Sequence, residues 1–308
     1  MFFDVEPHPL DYDWRFVDST LNYLVSLVGE SSCITCGVPS LALRLRGLGR
    51  EVISVDRNPL RFPDKTIDVS RDMTVDIRSN LIFADPPWYP EEFYRWVTWA
   101  AQHAGEGCRI LVSIWPNNTR PNAEAERNAL LDKISSWAEI SIDEGVLGYE
   151  VPIFEQQSLR LSGVDHPEIP WRAGDLVTIR PRLRPALAAP IGYSYLWRRF
   201  IWDEYQLALK ISPSSATVSN IEKLTGLSSW VFPSVSRRAE KRELIGLWSS
   251  RNEVASVSCS NVLERDLLNF TSMKGCESNQ CESMRYLINS WRIPNRPFER
   301  TYTWVHYD

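Results

Sequence analysis

Through the first half of the chain, short apolar runs that end in a carboxylate alternate with segments whose apolar side chains recur at helical spacing. Cys33-Ile34-Thr35-Cys36 is a β-like run, followed by Gly37-Val38-Pro39-Ser40 and then by Leu41, Leu43, Leu45 and Leu48 with arginines between them, closing at Gly49. That order predicts a strand, a tight turn, a helix and a glycine stop. Glu51-Val52-Ile53-Ser54-Val55-Asp56 and Leu81-Ile82-Phe83-Ala84-Asp85 each read as a buried strand that delivers an acid to the carboxyl edge of a sheet, where α/β enzymes bind their ligands. From Pro90 to Ala104, Phe93, Trp96, Val97, Ala100 and Ala101 mark a helix, and Arg109 to Ile114 follows as another strand. An opening helix is expected from about Trp14 to Val28. Tyr149 to Leu161, with Val146 and Leu147, is expected to form a hairpin at the edge of the sheet.

The pattern changes after Arg180-Pro181-Arg182-Leu183-Arg184-Pro185-Ala186-Leu187-Ala188-Ala189-Pro190, a stretch of proline and small residues that predicts a linker. Beyond it, Tyr195–Trp202, Tyr205–Ile211, Ser229–Val235 and Leu244–Val257 read as strands, and Asn261–Phe270 and Glu282–Trp291 as helices. The expected organisation is an α/β domain over residues 1–180 and a smaller α+β appendage over 190–308. No internal repeat is visible.

Composition narrows the class. The chain has 308 residues, 44% hydrophobic and 24% charged, enough to bury a full core. No apolar stretch reaches membrane-span length and the first residues lack a signal peptide's positive start, so a cytoplasmic protein is expected. The six cysteines are too few and irregular for a disulfide framework. Cys33-x-x-Cys36 has the spacing of a metal pair, but strand alternation and a turn account for it, and only Cys276 and Cys281 remain as unusual partners, so no metal is expected. Charge is uneven: residues 1–189 carry 19 Lys and Arg against 27 Asp and Glu, whereas 190–308 carry 15 against 12. Arg237, Arg238, Lys241 and Arg242, near Trp230, Phe232 and Trp248, form a basic segment suited to holding phosphates and stacking bases, or alternatively a solvated face. The net charge of −5 argues against strong nonspecific DNA affinity by the whole chain.

The most informative chemistry is Asp85-Pro86-Pro87-Trp88 at the end of a predicted strand. An exocyclic amine such as adenine N6 is a weak nucleophile because its lone pair is delocalised into the ring. Two acceptors on its protons favour the pyramidal, reactive form. Asp85 and the Pro86 carbonyl supply such acceptors, Pro87 stiffens the turn, and Trp88 offers a stacking surface worth about 1–3 kcal/mol per base. The bland alternative is a rigid turn with its aromatic packed on the core. Asn117, Asn118 and Arg120, in the loop after the next strand, are candidate substrate contacts, or caps of the helix that begins near Ala123.

Taken in order, a turn at Gly37, an acid at Asp56 and the Asp85 motif resemble the class I S-adenosylmethionine-dependent methyltransferases. The closer resemblance is to amino-methyltransferases with a (D/N)PP(Y/W) motif, such as N6-adenine enzymes. It covers roughly residues 30–160. It implies a Rossmann-like, seven-stranded, mostly parallel sheet with S-adenosyl-L-methionine over its first two strand ends. Cys36, Gly37 and Ser40 would then form the donor loop, and Asp56 would accept from the ribose hydroxyls. The loop holds one glycine where the family carries several, and the motif follows the loop, unlike the RNA N6-adenosine enzymes with Asp-Pro-Pro-Trp. The expected activity is methyl transfer to an amino nitrogen, foremost adenine N6 in DNA or RNA. The alternatives are a small amine such as a polyamine as acceptor, or a catalytically retired scaffold that joins a protein partner through the appendage.

Overall fold

The structure is a computed structural model in which residues 5–61, 63–165, 172–192, 194–212, 219–270 and 282–307 are described. Two compact units are present. One comprises Trp14–Val151 and Glu168–Ile191, the other Met1–Asp13, Pro152–Pro167 and Gly192–Asp308.

In the first unit the elements run α1 (Asp18–Val28), β1 (Cys33–Cys36), α2 (Pro39–Gly47), β2 (Val52–Asp56), β3 (Lys65–Thr66), β4 (Ser79–Ala84), α3 (Pro90–Gln102), β5 (Ala104–Ile114), α4 (Ala123–Ser135), β6 (Ala138–Tyr149) and β7 (Arg172–Pro181). They build a seven-stranded sheet in the order β3-β2-β1-β4-β5-β7-β6. Its strands are parallel except β7, which runs antiparallel to both β5 and β6. Alternation along the strands feeds two cores. Ile34, Ile82, Ala84, Ile110 and Val112 pack with Phe93, Val97 and Trp99 of α3 and Leu130 and Ile134 of α4. Cys33, Leu81, Phe83 and Leu111 pack on the other face with Leu21 and Leu24 of α1 and Leu41 and Leu45 of α2. Each fully buried aliphatic side chain contributes about 1.5–3 kcal/mol, so the period-two pattern in β4 alone anchors helices on both sides of the sheet.

The expected hairpin is corrected by this topology. Residues 149–161 do not fold back as a strand pair: Tyr149 ends β6, and the antiparallel partner is β7, more than twenty residues on. Ile153–Leu161 is instead a helix, α5, with Pro152 at its N-cap and Phe154, Glu155 and Ser158 buried. The run is rich in Glu, Gln, Leu and Arg, which lose little side-chain freedom in a helix. The opening helix also starts later than expected, because Phe16 pairs with Tyr149 in an isolated bridge. The proline-rich stretch after β7 belongs to the first unit. Gln102 Nε2 donates to the Pro185 carbonyl (2.6 Å), Ala188 N–H to Thr98 Oγ1 (3.1 Å), and Arg95 to the Ala188 carbonyl, which fasten the stretch along α3.

The second unit contains α5, β8 (Ser194–Trp202), β9 (Tyr205–Ile211), β10 (Ile221–Glu222), β11 (Leu247–Ser249), β12 (Val254–Val257), α6 (Ser260–Phe270), α7 (Glu282–Trp291) and β13 (Arg300–Tyr307). These strands form an antiparallel six-stranded sheet, β10-β12-β11-β9-β8-β13, against which α6 and α7 place Leu263, Leu267, Leu287 and Trp291. Ser229–Val235, expected as a strand, is irregular and pairs through the isolated Val231–Glu253 bridge. Leu244–Val257 is broken into β11 and β12 by a turn with Asn252 at φ +63°. The first described residues belong here too: His8 bonds the Trp248 carbonyl and Asp11 pairs with buried Arg199 at 2.8 Å. The unit is thus assembled from three chain segments, where the sequence pattern suggested one continuous appendage from 190 to 308. Among the described residues no helix is long and apolar enough to cross a membrane.

Candidate active site

Three elements of the first unit bring their carboxyl ends together. β1 lies between β2 and β4, with Cys36 level with Val55 on one side and Ala84 on the other. The next residue on each strand therefore meets at one edge. Gly37 N–H donates to the Val55 carbonyl at 2.9 Å, and Asp85 N–H donates to the Cys36 carbonyl at 3.1 Å. Gly37 sits at φ +68°, a region that L side chains seldom adopt. A Cβ there would lie 2.9 Å from Trp96 Cη2 and 3.3 Å from the Asp85 carbonyl oxygen, so glycine is required both by conformation and by space. The turn expected for the donor loop and the acid of the proline motif are thus in direct contact.

The Asp85 carboxylate is oriented by two side chains absent from the sequence-derived site. Ser113, the penultimate residue of β5, donates its hydroxyl to Asp85 Oδ1, and Tyr149, the last of β6, donates to the same oxygen at 2.9 Å. Burial, with the Asp85 charge beside it, pushes the Tyr149 phenol well above its ordinary range, so it stays a neutral donor. Nothing local in the sequence marks Ser113 or Tyr149. They reach Asp85 only because β5 is the neighbour of β4, and because Tyr149 lies at the ligand edge of parallel β6.

Trp88 is half-buried and packs on both cores. Its ring meets Tyr149 edge to face with centroids 5.6 Å apart, and a Cβ on Gly174 of β7 would lie 2.9 Å from Trp88 Cζ2. The Arg172 guanidinium lies 5.6 Å from the Trp88 ring centre and 4.5 Å from that of Trp14. Pro86 is buried and Pro87 half-buried.

The residues expected to hold a cofactor occupy the adjoining edge. Asp56 is half-buried and its Oδ1 accepts from Asn58 N–H at 2.7 Å, which turns the chain after β2 around the carboxylate. Pro39 opens α2, and its N-cap, Val38, supplies no side-chain cap to the first turn, where Ser40 lies. The amides of a helix start favour an anionic group. A carboxylate acceptor beside β2 and an uncapped helix start beside Gly37 fit the ribose and amino-acid ends of an S-adenosyl ligand.

The remaining candidates divide. Asn117 and Asn118 are exposed in the turn after β5, on the same edge as Asp85. Arg120 pairs with Glu126 at 2.6 Å and lies 4.7 Å over the Trp115 ring, a tie at the start of α4. Arg237 and Arg238 belong to the second unit, and Asp85 to the first. Arg237 donates to the Tyr12 hydroxyl at 3.0 Å, while Arg238 is exposed. Cys33 and Cys36 face opposite cores and cannot share an ion. Burial pushes the Cys33 thiol up to about 11 and the Cys36 thiol higher still, so both are protonated at neutral pH. Among the described residues no three His, Cys, Asp or Glu side chains cluster to hold a metal. Cys276 and Cys281 lie outside the described residues.

No protein-family model matches the chain, and no curated protein matches it in sequence. Solved structures do. The chain is similar to the branched-chain polyamine synthase C9 mutein from Thermus thermophilus, solved with N4-aminopropylspermidine and 5'-methylthioadenosine. The match has a TM-score of 0.51 and 18% identity, over 61% of this chain and 64% of that one. A TehB-like SAM-dependent methyltransferase from Corynebacterium glutamicum matches at a TM-score of 0.36 and 12% identity, over 54% of this chain and 89% of that one. The fold is the Rossmann-like class I methyltransferase fold. It carries an α+β second unit, and the chain spans less than two thirds of the synthase it resembles. Within the class I sheet, Gly37, Asp56 and Asp85 stand at the carboxyl ends of the three neighbouring strands β1, β2 and β4.

Proposed function

We propose that the chain is an S-adenosylmethionine-dependent transferase that methylates an amino nitrogen, foremost adenine N6 in nucleic acid. The observation that carries this reading is the Asp85 carboxylate, held by Ser113 and Tyr149 and hydrogen-bonded through its main chain to the Cys36-Gly37 turn. When bound, S-adenosylmethionine would supply an electrophilic methyl group and leave as S-adenosylhomocysteine, the methylated nitrogen losing one proton. Asp85 and the Pro86 carbonyl accept from the amine, draw its lone pair out of conjugation and orient it. Ser113 and Tyr149 fix the carboxylate so that it does not turn away from the acceptor. Asp56 accepts from the ribose, and the start of α2 receives the carboxylate of the amino-acid end. Trp88 forms the wall beside the amine. Asn117 and Asn118 contact the acceptor from the turn after β5. The Arg237-Arg238 segment contacts phosphates, and the second unit recruits the nucleic acid or a protein partner.

A second reading has its own support. The polyamine synthase with the same fold was solved with a polyamine and 5'-methylthioadenosine. The acidic balance of residues 1–189 also suits a cationic small amine. Calorimetric titration of the purified chain with S-adenosylmethionine tests both readings against a retired scaffold. Saturable binding, weakened by about 1–3 kcal/mol in Asp56→Ala through loss of a charged acceptor, is expected. No binding at millimolar ligand would leave the scaffold reading.

A further inference from the structure

The far edge of the Trp96 ring lies against Gly37, where a Cβ would also meet the Asp85 carbonyl oxygen, and a hydrogen bond at its indole nitrogen orients the ring. Its Nε1–H donates to Ser70 Oγ at 2.9 Å, and the Ser70 hydroxyl donates to Glu92 Oε2. Ser70 and Glu92 are both buried, Glu92 completely. The loop that carries Ser70 is pinned by three further bonds: Ser70 N–H donates to Asp68 Oδ1 at 3.0 Å, and Arg95 donates to the carbonyls of Val69 at 3.1 Å and Asp72 at 2.5 Å. One face of α3 thus presents Glu92, Arg95 and Trp96 to this loop, and the far edge of the Trp96 ring reaches Gly37. A buried carboxylate is kept in place by hydrogen bonds, and the Ser70 hydroxyl that bonds Glu92 is the same hydroxyl that receives the Trp96 indole N–H, so the ring is tied to a fixed group.

We propose that Trp96 is a positioning residue: oriented by Ser70 and Glu92, its ring sets the separation between the Gly37 turn and Asp85, and so between methyl donor and amine. The inference rests on the reading of these two residues as the donor and acceptor sides of one site. A turn with a single glycine, at φ +68°, lies against the ring with no space for a methyl group. Loss of the ring's fixed orientation lets the turn shift, and a shift of about 1 Å in reacting groups costs on the order of 100-fold in rate.

The test compares Ser70→Ala, Ser70→Thr and Trp96→Phe with the wild-type chain, using S-adenosylmethionine and an adenine-containing oligonucleotide or a polyamine. Trp96→Phe keeps a ring but removes the Nε1 donor, and Ser70→Thr keeps the hydroxyl. Turnover is expected to fall about 10- to 100-fold in Ser70→Ala and Trp96→Phe, with the S-adenosylmethionine Kd unchanged within about threefold. Ser70→Thr should recover most of the rate. The Ser70→Ala/Trp96→Phe double variant should be no slower than the slower single, because both act through one contact. Wild-type turnover in either variant, additive losses in the double variant, or a change confined to the urea midpoint would overturn the proposal. A wild-type chain that binds no S-adenosylmethionine would overturn the transferase reading and this proposal with it. Active wild type with indifferent variants would overturn this proposal alone.

Discussion

The Tyr149 hydroxyl donates to Asp85 Oδ1 across 2.9 Å although the two residues stand 64 positions apart. With Ser113 on the same oxygen, the carboxylate is held at the ligand edge of three strands, β4, β5 and β6. Tyr149→Phe removes one donor and leaves the ring packed on Phe16 and Trp88. A hydrogen bond to a charged group contributes about 1.5–3 kcal/mol, so methyl transfer should slow by about tenfold or more. Cofactor affinity by calorimetry should not change, because the Tyr149 hydroxyl bonds the Asp85 carboxylate.

The buried ring of His8 ties the first described residues to the second unit. Leu10 N–H donates to Nδ1 at 3.1 Å, so Nε2 carries the proton and donates to the Trp248 carbonyl at 2.9 Å. Burial first, then the Arg199 charge, hold its pKa well below 6.5. A cationic acid whose folded pKa is depressed stabilises the fold above its unfolded value and loses that contribution as pH falls. Urea midpoints measured from pH 7 down to 5 should therefore decline in the wild type. His8→Gln should be less stable at pH 7 and show a shallower decline. Part of the slope remains through His103, which is buried and lowered as well. An unchanged slope would assign the acid loss to other groups.

Arg127 of α4 and Asp175 of β7 form an ion pair with side chains 4% and 5% exposed, and Asp175 Oδ1 also accepts from Gly145 N–H at 2.7 Å. Arg127→Met leaves a buried charge without its partner and should cost roughly 3–5 kcal/mol. The double variant Arg127→Met/Asp175→Leu should recover part of this loss in denaturant titration. Equal stability of Arg127→Met and wild type would show that water reaches the pair.

The strand-turn-helix order through Asp56, the two-sided burial of β4 and the helix after the proline motif were legible because each is written in local periodicity. The edge of the sheet was not. β7 inserts between β5 and β6 after a helix, and the run Ile153–Leu161 has apolar residues enough for a strand but side chains that favour a helix. The proline-rich stretch 180–190 reads as a linker from composition, yet Gln102, Thr98 and Arg95 bond its main chain. At the candidate site, the places of Gly37, Asp56 and Asp85 at the ends of β1, β2 and β4 are readable from the strand pattern. The contacts of Ser113 and Tyr149 with Asp85 and of Trp96 with Gly37 are not, since they depend on which strands and helices become neighbours.

The basic segment of the second unit divides by burial. Arg242 is 6% exposed, donates to the Tyr12 hydroxyl at 2.9 Å and to the Val235 carbonyl at 3.2 Å, and stacks on Trp248. Arg242→Ala should therefore destabilise the unit, whereas exposed Arg238→Ala should leave the unfolding free energy from urea titration within about 0.5 kcal/mol of wild type. If the segment contacts a nucleic-acid backbone, Arg238→Ala should weaken oligonucleotide binding equally across sequences and reduce the salt slope by about 0.9. Unchanged binding and slope would exclude Arg238 from any such surface.

Transfer of labelled methyl from S-adenosylmethionine by wild type and Asp85→Ala, offered adenine-containing DNA and RNA and a polyamine, tests the central claim most directly. The account predicts label on an amino nitrogen of one acceptor with the wild type. It predicts none above background with Asp85→Ala, at equal cofactor affinity, because the carboxylate touches the amine and not the donor. Transfer by a folded Asp85→Ala chain at the wild-type rate would contradict it.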